Sequence, residues 1–211
     1  MLGILGGTFD PIHSGHILPA EQAANLLGIS KVLLMPCHIP PHRETPEVTA
    51  SQRLEMVRLA CENHPLFEAD DTELKRNSAS YTVETLSQLK QKYPAKTLCF
   101  FMGMDSLNQF TQWFRWQDIL DLAHLVVCAR PGYQQDVPPV IQKRIITNTE
   151  QARAAFAQHN HGRIYIAEVS PVDCAATNIR QQLASGQAPF TLLDNAVAEY
   201  IQQHRLYQNR E

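Results

Sequence analysis

Short apolar runs alternate along this chain with longer segments of helical periodicity, and the alternation indicates the fold class. The runs have the length of strands, and most are apolar nearly throughout, as strands of a parallel sheet covered on both faces are. They lie at residues 2–5, 31–35, 66–69, 97–102, 124–129 and 163–167. The pattern predicts an α/β fold with a Rossmann-like, doubly wound parallel sheet.

Local signals mark the helices between these runs. The helical pattern at residues 17–27 ends at Gly28, the position of a C′ glycine. Thr49 and Gln52 form a capping-box pattern, and Thr82 is placed to cap the following helix. These signals predict where the connecting helices begin and end.

Two further segments complete the predicted organisation. Residues 134–162 are polar and are expected to hold one or two surface helices and no strand. Residues 177–207 predict two short helices broken at Gly186 and Pro189. We expect a single domain at 1–211, with a Rossmann-like core at 1–170 and a helical C-terminal extension at 171–211.

The charge balance argues against binding to nucleic acid or to an anionic membrane. Lys and Arg number 18 against 21 Asp and Glu, a net charge of −3, whereas such binders need a basic excess. The longest apolar run, at residues 98–104, is far shorter than the roughly 20 residues that cross a bilayer. The N-terminus lacks the basic stretch and long apolar segment of a secretory signal. We therefore expect neither nucleic acid nor membrane as a partner.

The cysteines indicate a reduced, cytoplasmic setting. There are five, an odd number, with wide spacing and no C-x-x-C pair. They are Cys37, Cys61, Cys99, Cys128 and Cys174. This pattern argues against a disulfide framework and against a four-cysteine zinc site.

The strongest functional signal is the segment GGTFDPIHSGH at residues 6–16. It directly follows the first predicted strand, at the carboxyl edge of the sheet where ligands bind in doubly wound folds. Glycine lets another molecule approach the backbone closely, and the helix that follows offers free N–H groups to an anion. The segment matches neither the dinucleotide pattern G-x-G-x-x-G nor the Walker A pattern. We predict a phosphate-binding turn of another kind.

Two histidines of this segment, His13 and His16, are three residues apart. On the first turn of a helix this spacing puts both rings on one face. In an arbitrary sequence such a pair is most often two surface or capping histidines. A metal pair is the second alternative, although no third ligand lies at a persuasive spacing. The position directly after a strand and Gly-Gly-Thr favours contact with phosphate.

This segment resembles the [H/T]-x-G-H signature of the nucleotidylyltransferase superfamily, and in detail that of the bacterial nicotinate-nucleotide adenylyltransferases. The resemblance extends over nearly the whole chain. Further matching segments are PPHR at 40–43, ELKRNSASYT at 73–82, GMDSL at 103–107, the segment around Trp113, CARPG at 128–132 and ATNIR at 176–180. One motif alone would indicate only the superfamily, whereas the set in this order is specific to the nicotinate branch.

The resemblance implies an enzyme of NAD biosynthesis that joins ATP and nicotinate mononucleotide, giving nicotinate adenine dinucleotide and pyrophosphate. The 5′-phosphate of the mononucleotide attacks the α-phosphorus of ATP with no covalent intermediate. Its second pKa is near 6, so it is mostly dianionic at neutral pH and needs no general base. Mg²⁺ is expected, bound mainly through ATP phosphates and water. A homo-oligomer is left open.

The resemblance also implies roles for individual residues. His13, His16 and Arg180 are the expected catalytic residues. The residues expected to bind ATP are Gly6, Gly7, Thr8, Phe9, His13, His16, Asp105, Arg130, Thr177 and Arg180. Those expected to bind nicotinate mononucleotide are Thr8, His42, Arg43, Thr82, Trp113 and Phe114. The main chains of Thr82 and Phe114 are expected to contact the nicotinate carboxylate, which implies a preference for the acid over the amide.

Several of these residues have ordinary structural alternatives. Asp105 could be a helix N-cap, Arg130 a solvated loop arginine and Trp113 a core residue. His42 and Arg43 could form an ordinary basic surface loop.

Two positions depart from the family pattern. Ala175 occupies the position of a serine, so one hydroxyl contact to phosphate is absent, and Cys37 stands where relatives often carry asparagine.

Asp10 is a candidate magnesium ligand, but its place in the TFDP turn favours a structural role.

Three other functions compete with this interpretation. Another adenylyl- or cytidylyltransferase, such as phosphopantetheine adenylyltransferase, is disfavoured by the greater length of this chain, by H-x-G-H rather than T-x-G-H, and by the SYT and Trp113 segments. A non-catalytic nucleotide-sensing domain is disfavoured by the intact His13 and His16. A hydrolase built on H-x-x-H is the most distant alternative.

Overall fold

The computed structural model of the protein describes residues 1–38, 46–76, 80–132, 134–187 and 191–208. It contains a seven-stranded sheet with the strand order β3-β2-β1-β4-β5-β7-β6. The strands are β1 Leu2–Gly7, β2 Val32–Pro36, β3 Phe67–Ala69, β4 Leu98–Gly103, β5 His124–Ala129, β6 Ile145–Ile146 and β7 Ile164–Glu168. The strand order reverses between β1 and β4, so the predicted doubly wound α/β fold is confirmed.

Helices connect and flank these strands. They are α1 Ser14–Leu27, α2 Ala50–Glu62, α3 Thr82–Lys92, α4 Met104–Asn108, α5 Trp116–Leu122, α6 Pro139–Gln142, α7 Thr149–Gln158, α8 Ala176–Ala184 and α9 Asn195–Gln203. The pairs β1–β4, β4–β5, β5–β7 and β6–β7 run parallel, with Ile4 opposite Phe100 and Gly103 opposite Cys128.

The helix signals in the sequence have mixed outcomes. Gly28 follows α1 with φ of +69°, a left-handed conformation that glycine adopts without strain. The capping box at α2 is present, since Thr49 accepts from the Gln52 N–H and the Gln52 side chain accepts from the Thr49 N–H. The assignment of Thr82 as a cap is wrong, because Tyr81 is the N-cap and Thr82 is the first helical residue of α3.

The polar segment at 134–162 holds two helices, α6 and α7, where one or two were predicted. It also holds the strand β6, although no strand was predicted there. β6 has only two residues, and it pairs with β7 at the end of the strand order. Its two isoleucines give no detectable alternation, so the periodicity could not identify it. The two predicted C-terminal helices are present as α8 and α9, with Gly186 between them. Pro189, the other predicted break, lies outside the described residues.

The chain divides into two compact units. The first consists of Met1–Gly6, Pro19–Leu33 and Tyr81–Pro171, and the second of Gly7–Leu18, Leu34–Ser80 and Val172–Glu211. In the first unit, the apolar residues of β4, β5 and β7 form the buried centre, and α3 packs against α5. In the second unit, α2 packs against α9, with Val57 and Val197 fully buried. The single-domain organisation, with its boundary at residue 170, stays a prediction.

Within the described ranges, each helix falls short of the length and apolar character that a membrane span requires. The five cysteines all lie in those ranges and all carry free thiols.

His124 is a core residue of the first unit. It is fully buried, its ring stacks on Phe156 at a centroid distance of 3.9 Å, and Nδ1 accepts the Arg163 N–H at 3.1 Å. Nε2 lies 2.8 Å from the His159 carbonyl oxygen and therefore carries the proton. Burial lowers the pKa of His124 to about 4. The folded protein thus holds this imidazole neutral.

This burial makes stability depend on pH. As the pH falls below about 6.5, His124 becomes protonated in the unfolded chain, whereas in the folded protein it stays neutral down to about pH 4. The free energy of unfolding therefore decreases as the pH falls from about 6.5 to about 4. We expect His124→Gln to make this fall shallower, while lowering stability at pH 7. Urea unfolding of both proteins at pH 7, 6 and 5 measures the slopes. Parallel slopes would contradict the prediction.

Candidate active site

The segment at residues 6–16 spans the end of β1, the turn that follows and the first residues of α1. Its main chain takes a left-handed conformation at Phe9, with φ of +52°, and the Phe9 ring is buried. A Cβ on Gly7 would lie 2.8 Å from that ring, so the turn needs glycine there. At Gly6, a Cβ would lie near 3.8 Å from ring atoms of Phe100, an ordinary contact distance, and would meet no other group of the described residues. The exposed main chain of Gly6 is therefore open to the approach of another molecule.

His13 and His16 lie together, as their spacing predicted. His13 directly precedes α1 rather than standing on its first turn, and His16 is its third residue. The ring centroids are 3.8 Å apart with an interplanar angle of 34°, and the Phe9 ring meets His16 edge-on at 5.1 Å. His13 is 6% exposed, whereas His16 is half-buried.

Hydrogen bonds from the main chain orient both imidazoles. Nδ1 of His13 accepts the Gly15 N–H at 3.1 Å, and Nδ1 of His16 accepts the His13 N–H at 3.3 Å. Since Nδ1 acts as an acceptor in each ring, the neutral form of each carries its proton on Nε2. Burial lowers the pKa of His13 to about 4, so this ring stays neutral at physiological pH. In the neutral form of each ring, the Nε2–H is therefore the donor.

Gly15 and Cys174 complete the surroundings of His13. A Cβ on Gly15 would lie 2.9 Å from the His13 ring, which explains the glycine of H-x-G-H. The Cys174 thiol lies 3.2 Å from Nδ1 of His13 and shares that acceptor. Burial raises the pKa of Cys174, so it remains a thiol and a donor.

Asp10 is a buried structural residue of the turn. Its Oδ1 accepts from the Tyr207 hydroxyl at 2.8 Å, and its Oδ2 accepts from the Glu47 N–H at 3.0 Å. Both carboxylate oxygens are thus committed within the protein, in line with the structural role favoured from the sequence.

Arg180 reaches the same turn from α8. Its NH1 donates to the main-chain oxygen of Asp10 at 2.9 Å, and its Nε donates to the Glu47 carboxylate at 2.6 Å. Thr177 is exposed in the first turn of the same helix, and Ala175 directly precedes that helix without a side-chain cap. The helix N-terminus and the guanidinium are both cationic features of the second unit.

Arg53 was missed in the sequence analysis. It lies on α2, is only 1% exposed, and donates from NH1 to the Thr8 carbonyl at 2.7 Å. It therefore fixes the main chain of the turn after β1. The available signal was its spacing, because it begins the buried stripe that continues with Met56, Val57 and Ala60.

Cys37 braces the turn from the end of β2. Its N–H donates to the Gly7 carbonyl at 2.9 Å, and its thiol lies 3.8 Å from the Thr8 hydroxyl oxygen. Burial raises the pKa of Cys37. The thiol is thus a weak donor toward Thr8.

The remaining predicted residues belong to the first unit, apart from His42 and Arg43, which lie outside the described residues. Asp105 and Arg130 are exposed. Gly103 of β4 pairs with Cys128 of β5, and Asp105 and Arg130 each lie two residues after one member of this pair. They therefore follow the same carboxyl edge of two adjacent strands. Asp105 is in the first turn of α4, where Gly103 rather than Asp105 is the N-cap.

Trp113 and Phe114 are placed differently from each other. Trp113 is half-buried and makes edge contacts with Phe100 at 6.1 Å and Phe110 at 5.7 Å, so it does have the packing role that was its structural alternative. Phe114 is 50% exposed, and its ring lies 4.8 Å from that of Tyr81. This contact brings Phe114 beside the start of α3, where Thr82 presents an N–H that the helix cannot satisfy.

Comparison with known proteins places this geometry in a family. A family model described as cytidylyltransferase-like matches residues 4–182. A protein of Aeromonas hydrophila named "Probable nicotinate-nucleotide adenylyltransferase" is 48% identical over 206 residues, covering 98% of this chain and 96% of that protein. One of the same name from Shewanella baltica is 46% identical and covers 98% of each chain.

A solved structure agrees in fold. It is the nicotinic acid mononucleotide adenylyltransferase of Plasmodium falciparum complexed with NaAD, which superposes with a TM-score of 0.70 at 17% identity, covering 98% of this chain and 96% of that one. The match over residues 4–182 and the identities of 46–48% over nearly the full length show that this chain belongs to the cytidylyltransferase-like family and, within it, to the nicotinate-nucleotide adenylyltransferases.

Proposed function

We propose that the protein transfers the adenylyl group of ATP to nicotinate mononucleotide, releasing pyrophosphate and forming nicotinate adenine dinucleotide. The observation that carries this proposal is the pair of Nε2–H donors, His13 and His16, on the turn after β1 of a chain from this family. Imidazole N–H groups suit phosphate oxygens, which are acceptors. The activity belongs to NAD biosynthesis, and we place it in the cytoplasm.

The reaction requires no proton transfer to or from the attacking phosphate. The attacking phosphate is mostly dianionic at neutral pH and needs no base. A His13 held neutral by burial is a donor and not an acid, which agrees with this requirement. The protein's task is to align two phosphates and to neutralise charge that grows on the α-phosphate and on the leaving pyrophosphate.

Several groups of the second unit suit that task. His13 and His16 would donate to the α-phosphate, and the main-chain N–H groups of Gly7, Thr8 and Phe9 would cradle the nucleotide phosphates. Arg180, already 23% exposed at its side chain, would neutralise charge on the leaving group with Thr177 beside it.

In the first unit, we propose that Asp105 contacts ribose hydroxyls and that Arg130 lies near the nucleotide. Trp113 would pack against the pyridine ring. These roles, and those of His42 and Arg43 toward the mononucleotide phosphate, rest on the resemblance of their motifs.

We also propose that Mg²⁺ accompanies ATP. Asp10 is committed to Tyr207 and Glu47, so the metal's ligands would be phosphate oxygens and water. Among the described residues, no cluster of three or more His, Cys, Asp or Glu side chains is arranged to hold a metal ion. When bound, Mg²⁺ would supply charge neutralisation on the triphosphate.

The direct test is pyrophosphate release by the purified protein with ATP, Mg²⁺ and a panel of phosphate acceptors. The panel contains nicotinate mononucleotide, nicotinamide mononucleotide and phosphopantetheine. Release with nicotinate mononucleotide supports the proposal. Binding of ATP without release for any acceptor contradicts it.

The same panel tests a preference for the acid. A nicotinate carboxylate would accept from the Thr82 N–H and from the main chain of Phe114, which the Tyr81–Phe114 contact holds close to the start of α3. Charge-assisted bonds are stronger than neutral ones, so we expect kcat/KM to be about tenfold or more higher for the acid than for the amide. Equal or reversed values would exclude this carboxylate site.

A further inference from the structure

Tyr207 connects the C-terminal end of the chain to the phosphate-binding turn. It follows α9, has φ of +60°, and is 7% exposed. Its hydroxyl donates to Oδ1 of Asp10 at 2.8 Å, although the two residues are 197 positions apart. Burial, together with the neighbouring Asp10 carboxylate, raises the pKa of Tyr207, so the phenol remains a donor. This is a buried hydrogen bond to a carboxylate.

Asp10 links Tyr207 to Arg180, because it is hydrogen-bonded to both. Its three oxygen atoms accept hydrogen bonds from three separate segments: from Tyr207, from the Glu47 main chain, and from NH1 of Arg180. Because the bond to Arg180 uses the main-chain oxygen, its geometry depends on the position of the whole Asp10 residue. The Tyr207 and Glu47 donors fix that position.

The two hydrogen-bond partners of Arg180 differ in how easily a ligand can replace them. Glu47 is 54% exposed at its side chain, and an exposed ion pair of this kind contributes little. An ATP phosphate can therefore replace the Glu47 carboxylate at Nε. The buried Asp10 oxygen at NH1 stays in place and keeps the guanidinium directed along the turn.

We propose that Tyr207 is a positioning residue for adenylyl transfer, which holds Asp10 so that its main-chain oxygen aims Arg180 at the ATP phosphates. This inference rests on the proposed function. It assigns a task to the C-terminal residues that the reaction itself does not require, and it predicts an effect on ATP binding at a residue that does not touch ATP.

The test replaces Tyr207 with phenylalanine, which removes only the hydroxyl. A hydrogen bond to a charged group contributes enough for roughly a tenfold change, so we expect KM for ATP to rise about tenfold with a smaller change in kcat. Tyr200→Phe is the matched control, because Tyr200 lies on α9 and its ring meets that of His204, with centroids 4.2 Å apart. It is expected to leave KM for ATP unchanged.

A double-mutant cycle separates positioning from a purely structural contribution. If Tyr207 acts through Arg180, Tyr207→Phe will change KM for ATP less than about twofold in an Arg180→Ala background, because the aimed group is gone. An equal rise in both backgrounds would show that the hydroxyl only stabilises the fold and would overturn the inference. Urea unfolding of each variant supplies the accompanying stability.

A second variant keeps the test decisive if Tyr207→Phe folds poorly. Asp10→Asn retains the side-chain shape and an acceptor oxygen but loses the charge, and it is expected to raise KM for ATP only while Arg180 is present. Wild-type protein without pyrophosphate release would refute the proposed function itself. Active wild type with an unchanged KM in both variants would refute the inference alone.

Discussion

Replacing His16 with alanine is expected to lower kcat about 10²- to 10³-fold, the loss typical when one preorganised donor to a developing oxyanion is removed. The ring is only half-buried, with an edge contact to Phe9 and a tilted contact to His13, so the fold should be little changed. The measurement is steady-state pyrophosphate release with both substrates saturating, together with urea unfolding.

Two comparison variants sharpen this result. Glutamine can place an amide N–H near the position of the imidazole Nε2–H, so His16→Gln is expected to fall between alanine and wild type. His204→Ala removes an exposed histidine of the same unit and should leave kcat unchanged. If His16→Ala raises KM for ATP but retains full kcat, His16 binds the ground state and its assigned role in the transition state is wrong.

The fold could be predicted because its signals are local and repeated. The long apolar runs that became β4 and β5, and the caps at Gly28 and Thr49, each carry their own physical reason in a few neighbouring residues. β6 failed this condition, since two isoleucines become a strand only through pairing with β7. The N-cap predicted at Thr82 was one position off, because Tyr81 is the N-cap and caps the helix without a side-chain hydrogen bond.

The same distinction between local signals and long-range contacts applies to the candidate site. The clustering of His13 with His16 follows from a spacing of three residues, and Gly7 and Gly15 are required by contacts within the turn. Arg53 could have been suspected as a charge on an apolar stripe, but its acceptor, the Thr8 carbonyl, is 45 residues away.

Long-range partners set the limit of what the sequence could predict. Tyr207 gave no local signal, because its acceptor Asp10 lies at the other end of the chain. Cys174 carries no pattern either, yet its thiol shares an acceptor with the Gly15 N–H. Side chains that support a site are found by tertiary contact, whereas side chains that perform its chemistry are grouped by motif.

Arg180→Ala is the second change with a large expected effect, and it should act mainly on ATP binding. Charge-assisted hydrogen bonds to phosphate contribute enough for roughly a 10- to 100-fold rise in KM for ATP. The change also leaves the Glu47 carboxylate without the guanidinium that it contacts, so a negative charge would face the incoming triphosphate. We expect kcat to fall less than KM rises, which distinguishes Arg180 from His16.

The lysine variant separates charge from geometry at the same position. Arg180→Lys keeps the positive charge but loses the planar fork that contacts Asp10 and Glu47 together, so it should recover only part of the ATP affinity. Arg58→Ala is the matched control, since Arg58 is an exposed arginine of the same unit that pairs with Glu55. Initial rates over a range of ATP concentrations at fixed mononucleotide give both constants. A normal KM in Arg180→Ala would mean that the triphosphate lies elsewhere, because a cation removed from its path must weaken its binding.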